Sequence, residues 1–333
     1  MRVSLVVSSA LLGVLSAFFA WAVHWAVSSY QEATYAIPGT VTTLTFGIGP
    51  RGDEAEDPAV VADELRDFVT ERSLALVIAS DGERAPQFIV ADPEGVVPWY
   101  SPAHSNDGEN QEEIQGAYVF EGTYSQRQWR RGESPALVPE GVEVVGAIPP
   151  PEGADDLQFV RPLGEYRLPP GEYVVNTDDP GELAELRGIV NRAGFGDHSA
   201  KSTPLGQYLT TDPLVGVTGG LLGAGFLAAV LFWTLGVRDR AAEFVIRVRH
   251  GATRARLVWQ VWPRGLPFQV LGIVSGVALS SVLVALVGLQ PLTRIEYLVL
   301  GAGATGGVVL AAAAWLLATA LGTWTRDEVG RAG

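Results

Sequence analysis

Few residues of this chain have the types and spacing for chemistry. His104, Asp107 and Glu109 stand together in the polar stretch 101–113 and could hold a cation. A polar loop with no second histidine nearby favours solvation over a metal site. Two carboxylate pairs, Asp155-Asp156 and Asp178-Asp179, have the composition of an acid–base pair. Asp179 precedes Pro180, the pattern of a helix N-cap, and Asp155-Asp156 sits in a Gly/Pro-rich turn, so both have structural explanations. No Gly-x-Ser-x-Gly elbow, His-Glu-x-x-His pair or phosphate loop occurs. The sequence predicts no catalytic residue, metal site or cofactor in this chain. With no cysteine, disulfides and thiolate sites are excluded.

The segment Arg240-Ala-Ala-Glu-Phe-Val-Ile-Arg-Val-Arg-His-Gly-Ala-Thr-Arg254 is basic, has helix-forming ends and lies between two long apolar runs. In a helix beginning near Arg240, Glu243 and Arg247 are i,i+4 neighbours in the favourable order. Phe244 and Val248 share a stripe with Ala241, which makes a short amphipathic piece. Gly251 supplies a conformational break, and Ala252–Gln260 can resume as helix with Leu257 and Trp259 available for packing. Such a rod would lie along a membrane, its arginines near lipid phosphates or a docked protein.

Four apolar runs must position that segment: Val3–Val27, Leu214–Val237, Leu266–Leu292 and Tyr297–Trp324. Each is long enough as a helix to cross a bilayer core of about 30 Å. None carries a charge inside, and Tyr30, Trp233, Tyr297 and Trp324 stand near the ends, where amphipathic rings prefer the interface. The first run, about 25 residues, exceeds the 7–15 of a signal core and is read as retained despite Ala20-Trp-Ala22. Gly219 with Gly223, and Gly303 with Gly307, have the four-residue spacing that lets helices approach closely in lipid.

Charge divides sharply. The net of −14 averages two unlike regions. Residues 30–205 hold 31 Asp and Glu against 12 Lys and Arg, while 237–265 hold seven Arg against Asp239 and Glu243. Basic loops are retained in the cytoplasm, so 237–265 and both termini are predicted inside and the acidic domain outside. An acidic domain also argues against a nucleic-acid partner. One Lys against 22 Arg, with abundant Ala and Gly, predicts a bacterial chain from a GC-rich genome.

The expected order is a first transmembrane helix over 1–30, an extracytoplasmic α+β domain over 31–205, and a second helix over 206–237. A cytoplasmic coupling segment follows over 238–265, then transmembrane helices over 266–293 and 294–325 and a tail over 326–333. Arg294 and Glu296 are expected in a very short outer turn. Within the outer domain, strands are predicted at Val41–Ile48, Leu74–Ala79, Gln87–Ala91, Ala117–Glu121, Val142–Ile148 and Tyr173–Asn176. Asp57-Pro58 and Asp179-Pro180 each open a helix, with apolar faces Val61/Leu65/Phe68/Val69 and Leu183/Leu186/Ile189/Val190. Gly194 stops the second, and Pro149-Pro-Pro151 is a stiff connector. Two strand–helix units predict a ferredoxin-like split arrangement. Trp99-Tyr100 and Trp129-Arg-Arg131 are read as core or turn packing ahead of protein contacts.

The four runs, the large domain between the first two, and the Arg240-x-x-Glu243…Gly251-Ala252-Thr253 pattern together resemble the permease subunits of FtsX/MacB-like ABC transporters. The resemblance covers the spans and the inner segment, nearly half the chain. Two features depart from that pattern: Val248 stands where a basic residue is usual, flanked by Arg247 and Arg249, and no amphipathic helix precedes the first span. The resemblance implies a four-helix membrane protein with an outer α+β domain, acting as a dimer with a second copy or a paralogue. It implies a partner cytoplasmic ABC ATPase dimer that binds ATP and Mg. Arg240, Glu243, Phe244, Arg247, Arg249, Gly251, Ala252, Thr253 and Arg254 are then the ATPase-coupling residues. The output would be export, extraction or mechanotransmission to an extracytoplasmic protein partner. The alternative is a membrane receptor or regulator whose outer domain senses a ligand or controls a cell-wall enzyme. A secondary transporter is disfavoured by the absence of charges within the runs. The chain has no native cysteine, so His250→Cys is a clean topology probe. An impermeant maleimide should label it only after the cells are opened, and labelling of intact cells would reverse the orientation.

Overall fold

The computed structural model describes residues 2–49, 56–80, 86–100, 116–151, 154, 156–164, 167–202, 204–288 and 293–324. Two compact units divide the chain, residues 28–208 and the remainder. The polar stretch bearing His104, Asp107 and Glu109 lies outside the described residues, as does Asp155.

The chain opens with α1 (Arg2–Ala33). In the α/β unit, β1 (Thr42–Ile48) leads to α2 (Pro58–Glu71) and β2 (Leu76–Ser80). After β3 (Gln87–Ala91) come β4 (Ala117–Phe120), α3 (Tyr124–Arg130), β5 (Val144–Ile148) and β6 (Phe159–Pro162). The unit closes with β7 (Gly171–Val175), α4 (Pro180–Arg192) and β8 (Phe195–Ser202), before α5 (Leu205–Thr211). All eight strands form one sheet, in the order β5-β4-β6-β3-β2-β7-β1-β8.

Within it, β2-β7-β1-β8 are mutually antiparallel neighbours joined as β1-α2-β2 and β7-α4-β8. This is the split β-α-β arrangement that two strand–helix units predict. Between its second and third strands, the segment β3–β6 extends the same sheet past β2, β3 pairing antiparallel with β2 and parallel with β6. The local devices are simple. Asp57 and Asp179 each accept a hydrogen bond from the amide two residues on, at 3.0 and 2.6 Å, with proline at the first helical position. Gly194 follows α4 at φ +82°, the left-handed geometry of a helix stop.

Alternation sends Leu44, Leu76, Ile78, Tyr173 and Val175 to one face, beneath Leu65, Phe68, Leu186 and Val190 of α2 and α4. The other face carries an aromatic cluster in which Phe88, Trp99, Tyr100 and Phe120 are buried with Val77, Val160 and Val174. Trp99 and Tyr100 are thus core residues, and the Trp99 indole donates to the Tyr35 carbonyl at 2.8 Å. Burial pushes the Tyr173 and Tyr100 hydroxyls above the ordinary value of 10.0.

The second unit comprises α1 with α6 (Pro213–Arg238), α7 (Ala241–Arg249), α8 (Arg254–Gly288) and α9 (Arg294–Trp324). Four of these helices, α1, α6, α8 and α9, are long and apolar enough to cross a membrane. Within the segment 238–265, the helix expected to resume over Ala252–Gln260 begins at Arg254 as α8 and runs unbroken through Pro263 and Pro267 into the third long apolar run. The two prolines each remove one backbone donor, yet the neighbouring turns and packed indoles hold the helix together. Arg294 and Glu296 lie in the first turn of α9, not in a turn outside it. Thr293 and Glu296 form a reciprocal capping box, the Thr293 amide donating to the Glu296 carboxylate at 2.7 Å.

Indoles fasten one end of this bundle. The Trp233 indole of α6 donates to Ser8 of α1 at 2.7 Å and meets the Trp315 ring of α9 edge-on. Trp315 donates to the Trp262 carbonyl of α8 at 3.0 Å, and Trp262 donates back to Ala312 at 3.2 Å. The start of α1, the end of α6, the start of α8 and the last third of α9 therefore share one end.

Glycines set the approach of α1 to its neighbours. A Cβ at Gly303 would sit 2.9 Å from the Ala17 Cα, and one at Gly307 would sit 2.5 Å from the Ser16 hydroxyl. Gly219 faces Phe19 at 3.2 Å, whereas Gly223 has nothing within 4 Å and plays no packing part here. The tightest approach was not foreseen: Gly272 and Gly276 of α8 lie against the Val6 and Ala10 carbonyls of α1. Gly276→Val should cost roughly 1–3 kcal/mol or more through overpacking, while Gly223→Val should stay within about 0.5 kcal/mol. Thermal unfolding of both variants in detergent checks this, and equal melting points would refute the assigned contact.

Candidate functional site

The segment that joins α6 to α8 is built entirely from helix-end chemistry. The α6 helix stops at Arg238, with the Asp239 amide donating to Leu235 and the Arg240 amide to Val237. After Asp239 and Arg240, α7 starts at Ala241, with the Glu243 and Phe244 amides donating to the Arg240 carbonyl. Glu243 and Arg247 pair at 2.6 Å along the helix. Both side chains are partly exposed, so the pair contributes little to stability by itself. Arg247 also reaches across the break to Gln260 of α8 at 2.9 Å, an interaction the spacing did not predict.

The Gly251-Ala252-Thr253 triplet has a definite structural meaning. Gly251 sits at φ +84°, and the Ala252 amide donates back to the Arg247 carbonyl at 3.1 Å. Those two features are a Schellman stop. Nothing lies within 4 Å of a Cβ at Gly251, so the constraint is its backbone angle rather than space. Thr253 then begins α8, its hydroxyl accepting from the Arg256 amide at 3.4 Å and its carbonyl from Leu257 at 3.1 Å. Glycine ends one helix, alanine half-buries against the bundle, and threonine starts the next.

The amphipathic reading of α7 holds at the positions whose side chains are described. Phe244 is buried in the same cluster as Leu5, Leu257 and Trp315. Ile246 is 59% exposed on the opposite side, and Trp259, expected to pack, is 67% exposed. Both are large apolar groups at the basic end, and period-3.6 reasoning did not single out either as a contact surface. Arg240, Glu243 and Thr253 are exposed, while Arg247 is half-buried. Arg249 and Arg254 belong to the described helices by backbone only.

Elsewhere the candidates dissolve into structure. Asp179 spends its carboxylate on the α4 cap, and Asp178 and Asp156 are exposed. Among the described residues, no three His, Asp or Glu side chains converge as a metal site requires. A cavity of about 700 Å³ in the α/β unit is bordered by Glu56, Asp57 and Arg167, but Asp57 already caps α2. One charged group that sequence reading missed is Arg161 of β6. It is 3% exposed, and it donates to the Gln87 side chain at 3.0 Å and the Arg167 carbonyl at 3.3 Å. Its isolated position in a polar-poor strand gave no signal.

Comparison with protein-family models found no match, and comparison with curated proteins found none either.

The junction itself is testable. Gly251→Val forces a β-branched residue into a left-handed angle, at a cost of about 1–2 kcal/mol. Hydrogen exchange of the α7 amides should then accelerate roughly 5- to 30-fold, with α9 unchanged. Unaltered α7 protection would show that the angle is not what closes this junction.

Proposed function

We propose that this chain is the permease subunit of an ABC-type complex, coupling a separate cytoplasmic ATPase to movement of an extracytoplasmic α/β domain. In this reading the four long helices span the cell membrane, both termini and α7 lie in the cytoplasm, and a second copy or paralogue completes a dimer. ATP and Mg belong to the partner ATPase dimer.

The observation that carries the proposal is the build of α7. A partner that pushes needs a handle that cannot slide over the bundle beneath it. Phe244 is sunk into the bundle core and Arg247 is tied to Gln260 of α8. The opposite side presents Ile246, with Trp259 beyond the break. A single fixed turn at Gly251 joins this short helix to the 35-residue α8. Displacement of α7 therefore moves α8 without first stretching a loop.

Electrostatics agree with the side assigned. The segment 237–265 carries seven arginines, and the α/β unit is acidic. That asymmetry orients basic segments toward the cytoplasm. In this reading the α/β domain acts by moving or by binding an extracytoplasmic protein, and ATP hydrolysis belongs to the partner.

The decisive measurement uses the full-length chain co-expressed with a candidate ABC ATPase. The pair should co-purify, and the chain should stimulate ATP hydrolysis. Ile246→Glu should weaken the complex about 30-fold, as loss of an apolar anchor at a protein contact does. Gly251→Val should retain membrane insertion and ATPase binding but lose stimulation. Unchanged stimulation in both variants would defeat the docking assignment.

A further inference from the structure

A cavity of about 420 Å³ opens between α7, residues 261–268 of α8, Leu5 of α1 and Trp315 of α9. Its polar rim is Arg240, Arg247 and Arg264, with Glu243 as the one acid. Glu243 is already engaged by Arg247, and Arg247 spends a second nitrogen on Gln260. Arg240 and Arg264 have no carboxylate partner among the described residues; Asp239 does not line this cavity but borders, with Arg240, the one beside it. Three arginines and one glutamate around one space leave it two positive charges in excess. The rest of the lining is apolar, from Leu5, Phe244, Phe268 and Trp315. Exposed apolar surface continues along α8 at Val270 and Leu271.

We propose that this cavity binds a phosphate group, and that its bearer is an anionic glycerophospholipid. Guanidiniums are the side chains best suited to phosphate oxygens. Basic pockets between helices on the positively charged side of a membrane protein meet the chemistry of acidic headgroups. A free phosphate would satisfy the arginines but has no use for the apolar wall, which suits glycerol and the first acyl carbons. Bound there, one phosphate bridges Arg240 at the start of α7 and Arg264 in α8, so lipid occupancy stiffens the α7–α8 junction. The assignment does not depend on the ATPase partner.

The test uses the full chain in nanodiscs of phosphatidylcholine with phosphatidylglycerol, then native mass spectrometry of the lipids retained on release. Phosphatidylglycerol should be retained selectively. The double variant Arg240→Gln/Arg264→Gln should bind it roughly 20- to 30-fold more weakly, at about fivefold per arginine. Arg240→Lys/Arg264→Lys should recover part of that loss, which separates charge from misfolding. Arg256→Gln, an exposed arginine outside the cavity, should match the parent chain. Equal retention of both lipids, or full retention by the double glutamine variant, would overturn the site. A parallel arm adds inorganic phosphate to lipid-free chain in detergent. Thermal stabilisation equal to that given by phosphatidylglycerol, and lost in the double variant, would keep the phosphate site and overturn the lipid as its source.

Discussion

The unit built from the four long apolar helices depends on the indole of Trp315. It is the largest side chain among those fully buried, and three other helices meet it. Its nitrogen holds the Trp262 carbonyl of α8, its ring receives Trp233 of α6, and Leu5 of α1 lies in the same cluster. Gly265 leaves the space that the ring fills, since a Cβ there would stand 2.6 Å from the indole nitrogen. In lipid there is no hydrophobic gain from bringing helices together, so close packing and the occasional polar bond must do the work. Indole supplies both at once: a broad apolar face and one donor whose burial requires an acceptor.

Because that fastening lies at the basic end, the same end presents α7 in a fixed position. Phe244 enters the Trp315 cluster from α7, and Leu257 enters it from α8. The Schellman stop at Gly251 and the Thr253 start leave a single residue, Ala252, between two helix-end devices. The position of α7 is thereby fixed by buried contacts on one side and backbone geometry on the other, with surface ion pairs adding little.

How much of this was legible in the sequence follows from the range of each interaction. Asp57-Pro58 and Asp179-Pro180 announced their helices because a cap is made within three residues, and both caps form; Asp212-Pro213 caps α6 in the same way. The Glu243–Arg247 pair and the Gly251 break were readable for the same reason. The split β-α-β frame was also readable, since two local strand–helix units imply it. The pairing of β3 to β6 was not, because only long-range partners decide it. Strand β8 escaped because Phe195–Ser202 lacks buried alternation; its edge position leaves most of it exposed, and polar contacts such as Ser199 to Thr45 join it to β1. Glycine spacing was an ambiguous guide. Gly303 and Gly307 pack on α1, but Gly223 touches nothing and Gly272 with Gly276 make the closest approach. Spacing marks which helices can approach; only the neighbour's surface decides which do.

Pro263 and Pro267 give α8 a property that its length conceals. Pro263 cannot donate to the Trp259 carbonyl, nor Pro267 to that of Pro263, so two rungs of the helical ladder, about one turn apart, are absent in a 35-residue rod. Torsional compliance is then concentrated in one turn. The reciprocal bonds between Trp262 and α9 grip that same turn from the side. A twist entering at Arg254 therefore meets the least hydrogen-bonded stretch of α8 at 259–267, and it is there that the two bonds to α9 brace the helix.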